Sequence, residues 1–345
     1  RDVERSRGLG DVYKRQTFDG KSVTGASLEL LLSLFTKPSA DENGFSPEQL
    51  STEIRLTAED IESEINDKRS YAMTRMLETM CADEIYGLTK NEILENVKKV
   101  TPQSLLAAWK FMLKNGIIQL NAIGNISEDD CKKKLREAFS DIGERTPYEP
   151  ETVFVEEAED LTELTEELTM NQSKLVLGFR GGMTDENDDF YSRRIMTDVF
   201  GGGPYSRLFM NVREKLSLCY YCSARLIRGK GIIVIQSGIE KENRQKVLDE
   251  INRQLDIMKN GEFSDEDFEA SKKAICDAYR SFNDTPDALD IYYGTQLTGD
   301  IVTPDEAIEN FLAVTRDDVK KTACALSLDT VYMLAGTDKE DGADE

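Results

Sequence analysis

Two stretches of this chain read as the same unit. Residues 101–124, TPQSLLAAWKFMLKNGIIQLNAIG, and residues 315–336, TRDDVKKTACALSLDTVYMLAG, each run Thr-cap, helix, strand, Gly at nearly equal length. A Tyr-Gly stands upstream of each, Tyr86-Gly87 and Tyr293-Gly294, and a long helical tract precedes both. Repeated order of this kind marks related supersecondary units. The expectation is an α+β chain of two related halves, which a length of 345 residues accommodates.

The halves are placed by local signals. Residues 1–16, RDVERSRGLGDVYKRQ, are basic, fit neither a helix nor a strand pattern, and read as a non-native segment. Residues 17–143 read as the first half, short at its start. There Ser46-Pro47-Glu48-Gln49 starts a long helix whose Leu50, Ile54, Ala58, Ile61 and Ile65 form one apolar stripe. A second helix follows over 68–82, Thr101-Pro102 caps a third, and 117–123 reads as a strand. Residues 144–167, with Pro147, Pro150 and many acids, read as an acidic linker, with a short strand at 153–155. The second half, 168–345, begins with a strand at 173–180 and carries two more at 219–226 and 231–238.

Composition excludes several functions. The formal net charge is −23, which repels nucleic acid and anionic membranes, since phosphate binding needs clustered Lys and Arg. No apolar run approaches the roughly 20 residues of a membrane span, so a cytoplasmic protein is expected. Histidine is absent from the whole chain. Most non-thiolate zinc sites and most general-base chemistry near neutral pH use imidazole, so neither catalytic nor metal-binding residues are expected here. The six cysteines, at 81, 131, 219, 222, 276 and 324, form no disulfide framework. Cys219-Tyr220-Tyr221-Cys222 is a lone C-x-x-C at a strand start, where a spacing of three sends the two thiols to opposite faces.

The stretch 200–225, FGGGPYSRLFMNVREKLSLCYYCSAR, is the most informative. Three glycines end a helix in a tight turn. The pattern is not that of a phosphate-binding loop, and Pro204 removes an N–H donor. A helix over 206–215 then buries Leu208, Phe209 and Val212, with Arg213 near its C-terminal end, where the helix dipole favours a cation. Tyr220 follows seven residues later on a strand. Guanidinium and phenol together can hydrogen-bond the backbone carbonyls of an extended peptide. On the residues alone, the ordinary reading is favoured, with Arg213 a surface ion-pair residue with Glu214 or Glu240 and Tyr220 a half-buried strand aromatic, because a helix-end Arg is common.

This stretch resembles the second half of the insulinase-type (pitrilysin-type) metallopeptidases, the family of the mitochondrial processing peptidase. There a GGG-x-x-S-R-L-F-type turn precedes V-R-E-K and L-x-Y, and the similarity extends over the chain from about residue 26. The resemblance implies two insulinase-type half-domains, each a mixed or antiparallel sheet packed with helices, with 17–143 an N-terminally truncated first domain. It implies substrate binding by Arg213 and Tyr220 beside a zinc site held elsewhere. The family's H-x-x-E-H zinc motif is missing, and Glu59, Asp60, Glu62 and Glu64, on the helix where the third ligand would fall, read as a solvated face. The chain is most similar to the inactive bacterial YfmF-type branch. That similarity implies a non-catalytic subunit without its own cofactor, paired as a heterodimer with a zinc-bearing YmfH-type sister and handling a peptide or protein substrate, with a link to elongation factor P modification. The alternatives are a scaffolding protein of the same fold, or a fragment of an active zinc protease whose H-x-x-E-H segment is missing.

Overall fold

The computed structural model describes residues 17–18, 21–124, 127–148, 153–182, 189–297 and 301–337. They fall into two compact units. One takes the described residues of Arg1–Leu56, Val97–Pro150 and Ser281–Val302, the other those of Thr57–Asn96, Glu151–Arg280 and Thr303–Glu345.

In the first unit the helix Val23–Thr36 packs on the helix Glu128–Phe139 through Leu28, Leu32 and Cys131. The helix Pro102–Asn115 is capped by Thr101, whose Oγ1 accepts from the Ser104 amide at 3.1 Å. Ala40–Asp41 pairs with Gly44–Phe45 in a tight hairpin before the helix Pro47–Ser63. Residues 117–123 carry no ladder among the described residues, contrary to the strand expected there. Side-chain amides tie them instead to the helix Pro286–Gly294: Gln119 Nε2 donates to Tyr293 O at 3.0 Å and Asn121 Nδ2 to Asp290 Oδ1 at 3.2 Å. The echo therefore holds in its Thr-capped helices and not in the segment after the first one.

The second unit is built on a five-stranded mixed sheet of β1 (Thr162–Thr169), β2 (Ser173–Arg180), β3 (Cys219–Ile227), β4 (Ile232–Ile239) and β5 (Ser327–Thr337), in spatial order β1-β5-β2-β4-β3. β1 runs parallel to β5, and every other pair is antiparallel. β1 lies partly inside the expected linker. Its acids mask an alternation in which Leu164, Glu166 and Leu168 share one face. Residues 153–155, expected as a strand, have no ladder.

Both faces of the sheet are covered, so β2 and β4 are nearly continuous runs of buried residues. On one face Val176, Ile232, Val234, Tyr332 and Leu334 pack against Ala72, Met76, Met80 and Cys81, from the helix Lys68–Met80 and its end. That helix comes from the sequence's first half, which is why residues 57–96 cluster with the sheet. Charged groups fix it there. Arg75 Nε donates to Glu166 Oε1 at 2.9 Å. Arg180, almost fully buried, bonds Asp329 at 2.8 Å and Glu84 at 3.2 Å, and Lys230 also pairs with Glu84. On the other face the helix Phe190–Gly201 packs on β3, with the helices Arg244–Asn260 and Arg316–Cys324 beside it.

The long helix expected from Pro47 is present as Pro47–Ser63, but Leu50 is the only residue of its apolar stripe that is fully buried, and Ile65 is exposed. Among the four acids, Glu64 is not a free solvated group: it accepts from Thr74 Oγ1 at 2.7 Å and pairs with Lys90.

Candidate functional site

The glycine turn works by contact distance. A Cβ on Gly201, at the end of the Phe190–Gly201 helix, would lie 2.6 Å from the Ala224 amide nitrogen of β3. Only glycine lets that helix end approach the strand so closely. Tyr205 closes the turn, its hydroxyl donating to Asp198 Oδ2 at 2.8 Å. Burial first, and then the bond to Asp198, raises the Tyr205 phenol well above its ordinary range.

The next segment departs from regular backbone three times. Phe209–Lys215 is a π-helix, with Leu216 N bonded to Asn211 O at 3.2 Å. Ser217 stands at φ 50°, the only non-glycine residue with positive φ among the described residues. Then β3 opens with a bulge: Cys219 pairs with Ile239 and Tyr221 with Gly238, so Tyr220 is an extra residue with no partner of its own. π-helical turns and bulges both re-aim side chains, and both concentrate near functional sites. Here they set the seven-residue span between Arg213 and Tyr220.

Leu208 and Val212 are fully buried and anchor the π-helix. Arg213 keeps 41% of its side chain exposed, lies 4.6 Å from the Phe209 ring centroid and pairs with Glu214 at 3.6 Å. Tyr220 is 56% exposed and donates its hydroxyl to Glu240 just beyond β4. That bond, with the Glu240 charge, raises the Tyr220 phenol above its usual value. The exposed Arg213–Glu214 ion pair contributes little to stability, so Arg213 can exchange its partner for a ligand at small cost. Arg207, by contrast, is committed to structure: its Nε donates to Gln254 Oε1 at 2.9 Å and NH1 pairs with Asp267 at 3.6 Å.

The bulge corrects the reading of the C-x-x-C. Cys219 lies opposite Ile239 and Cys222 opposite Ser237, positions of one face of β4. The inserted Tyr220 brings both buried cysteines to the face covered by the Phe190–Gly201 helix. The neighbouring Cys222 and the Arg213 charge hold the Cys219 thiol below its ordinary range, while the neighbouring Cys219 and burial push the Cys222 thiol up. Tyr221 takes the opposite face, where Arg69 stacks 4.4 Å above its ring. Glu240, offered by the sequence as a partner for Arg213, takes Tyr220 instead, and neither the stacking of Arg213 on Phe209 nor the place of Ser217 was legible, because nothing in their spacing signals a bulge or a π-turn.

The donor set does not fit a catalytic zinc. The chain has no imidazole, and among the described residues no three of Cys, Asp and Glu gather to hold a metal ion. Among the same residues, no helix is long and apolar enough to cross a membrane.

A half-domain sheet layered with helices, the glycine turn leading to Arg213 and Tyr220, and the missing zinc ligands define an insulinase-type peptidase half without catalytic machinery. The comparisons agree: residues 99–275 match the peptidase M16 inactive domain, and the chain belongs to this family. It is 30% identical over 315 residues to the "Probable inactive metalloprotease YmfF" of Bacillus subtilis (strain 168), covering 90% of this chain and 73% of that one. An "Uncharacterized zinc protease YmxG" of the same organism is 26% identical over 162 residues, 46% of this chain and 38% of the relative. In structure the chain is similar to a conserved protein of Enterococcus faecalis V583, with a TM-score of 0.80 at 24% identity over 94% of this chain and 76% of that one. The chain is thus an inactive metallopeptidase homologue.

Proposed function

We propose that this chain is the peptide-binding, non-catalytic subunit of a cytoplasmic heterodimer with a zinc-bearing M16 sister of the YmfH type. Arg213 and Tyr220 hydrogen-bond the backbone of an extended peptide or protein substrate, and the sister supplies the zinc and performs the hydrolysis. The observation that carries this reading is the run of three backbone irregularities over residues 209–220, which flanks two half-exposed hydrogen-bonding groups, Arg213 and Tyr220. Relatives described as zinc proteases support a partner of that chemistry. The free thiols among the described residues suit a reducing compartment. Elongation factor P, the process carried over from the resemblance, is the first protein substrate to try.

The test is reconstitution. The purified chain alone is expected to hold no zinc and to hydrolyse no peptide. Mixed with its zinc-bearing sister it is expected to form a one-to-one complex with far higher peptidase activity than the sister alone. Stoichiometric zinc together with turnover by the isolated chain contradicts the reading, and so does a sister that needs no partner.

A further inference from the structure

We propose that Cys219 and Cys222 form a reversible disulfide whose closure resets Tyr220, making the pair an oxidisable site at the head of β3. The bulge places both buried cysteines on one face, opposite Ile239 and Ser237 of β4. The two cysteines stand opposite β4 residues two strand steps apart, about 7 Å, just beyond the span of about 4.4–6.8 Å between Cα atoms that a disulfide allows. Closing the bond therefore requires the bulge to tighten, and the residue that forms the bulge is Tyr220. A bond made under such strain is the easily reduced, regulatory kind rather than a structural one. β3 is an edge strand, so its backbone can shift without dismantling the rest of the sheet.

The oxidant is a hydroperoxide, with hydrogen peroxide as the probe. The Cys219 thiolate, favoured by the Arg213 charge, attacks one peroxide oxygen; the O–O bond breaks, the sulfur becomes a sulfenic acid and the other oxygen leaves as water. Cys222 then loses its proton and attacks that sulfur, breaking the S–O bond and releasing a second water. Two thiols lose two electrons and the two peroxide oxygens gain them.

The inference does not need the peptide-binding reading, and its test separates them. The intact chain is treated with hydrogen peroxide, unfolded, alkylated with N-ethylmaleimide and digested with trypsin. Residues 216–225, LSLCYYCSAR, lie between Lys215 and Arg225 and carry both thiols on one peptide. The expected result is that this peptide appears unalkylated and two hydrogens lighter than the dithiol, and that dithiothreitol restores the dithiol. In Cys222→Ser the expected product stops at a Cys219 sulfenic acid that dimedone traps. Full alkylation of both thiols, at a peroxide dose that already oxidises the exposed Cys324, overturns the proposal. A disulfide joining either residue to a different cysteine overturns it as well.

Discussion

Tyr221 lies over Gly238, its register partner across β3 and β4, so closely that a Cβ on Gly238 would stand 2.5 Å from the tyrosine Cε1. The ring occupies the space a side chain would need, and the bulge at Tyr220 is what brings it there. Gly238→Ala is expected to cost about 1–3 kcal/mol through overpacking, read as a lower midpoint in denaturant. Gly229→Ala, where a Cβ meets nothing within 4 Å, is the control and should stay within about 0.5 kcal/mol of the parent.

Glu84 is the shared acceptor of a buried cluster, bonding Arg180 at 3.2 Å and pairing with Lys230. With Asp329 it balances two buried cations by two acids. Removing one acid strands charge in a region of low dielectric. Glu84→Ala is expected to destabilise by about 3–5 kcal/mol in a denaturant melt, far more than loss of an exposed acid such as Glu214.

Acid should weaken the packing of the Lys68–Met80 helix on the sheet. Burial raises the Glu166 carboxyl, but the hydrogen bond and charge of Arg75, with the bond from Tyr71, outweigh it and hold the group below the usual carboxylate range. A carboxylate depressed in the folded state contributes stability above its unfolded value, and that contribution is lost as pH falls through the folded one. Thermal midpoints should therefore drop below about pH 4.5, the ordinary Glu value. Glu166→Gln should lie lower at neutral pH and fall less steeply on acidification. Equal slopes for the two proteins would count against this.

Ser217 holds a left-handed conformation at φ 50° between the π-helix and β3. Such backbone costs about 1–3 kcal/mol for a non-glycine residue and is worst for β-branched ones. Ser217→Val is expected to lower the thermal midpoint clearly, and Ser217→Gly to leave it unchanged or raise it.

Periodic elements were legible in the sequence. The strand Ser173–Arg180 falls where its apolar run places it, and the helices capped by Thr101 and Thr315 start at their caps. Less visible was anything that depends on a partner across the fold. β1 reads as an acidic linker because Glu166 looks solvated until Arg75 is brought to it. Residues 117–123 look like a strand, yet a strand exists only where something pairs with it. For the site, resemblance pointed to Arg213 and Tyr220, but the bulge that unites Cys219 with Cys222 inverted what a spacing of three implies in a regular strand. Bulges and π-turns insert a residue without changing composition, so no period in the sequence announces them.

The central claim is that Arg213 and Tyr220 bind a peptide which another subunit cleaves. The measurement that tests it most directly is kcat/KM for peptide hydrolysis by the reconstituted pair, with Arg213→Ala, Tyr220→Phe or both in this chain, and with complex formation checked by sedimentation. The account predicts intact complexes whose kcat/KM falls about tenfold or more for Arg213→Ala, as expected for loss of a charged hydrogen bond, and several-fold for Tyr220→Phe. Complexes that assemble normally and cleave at the parental rate would contradict it.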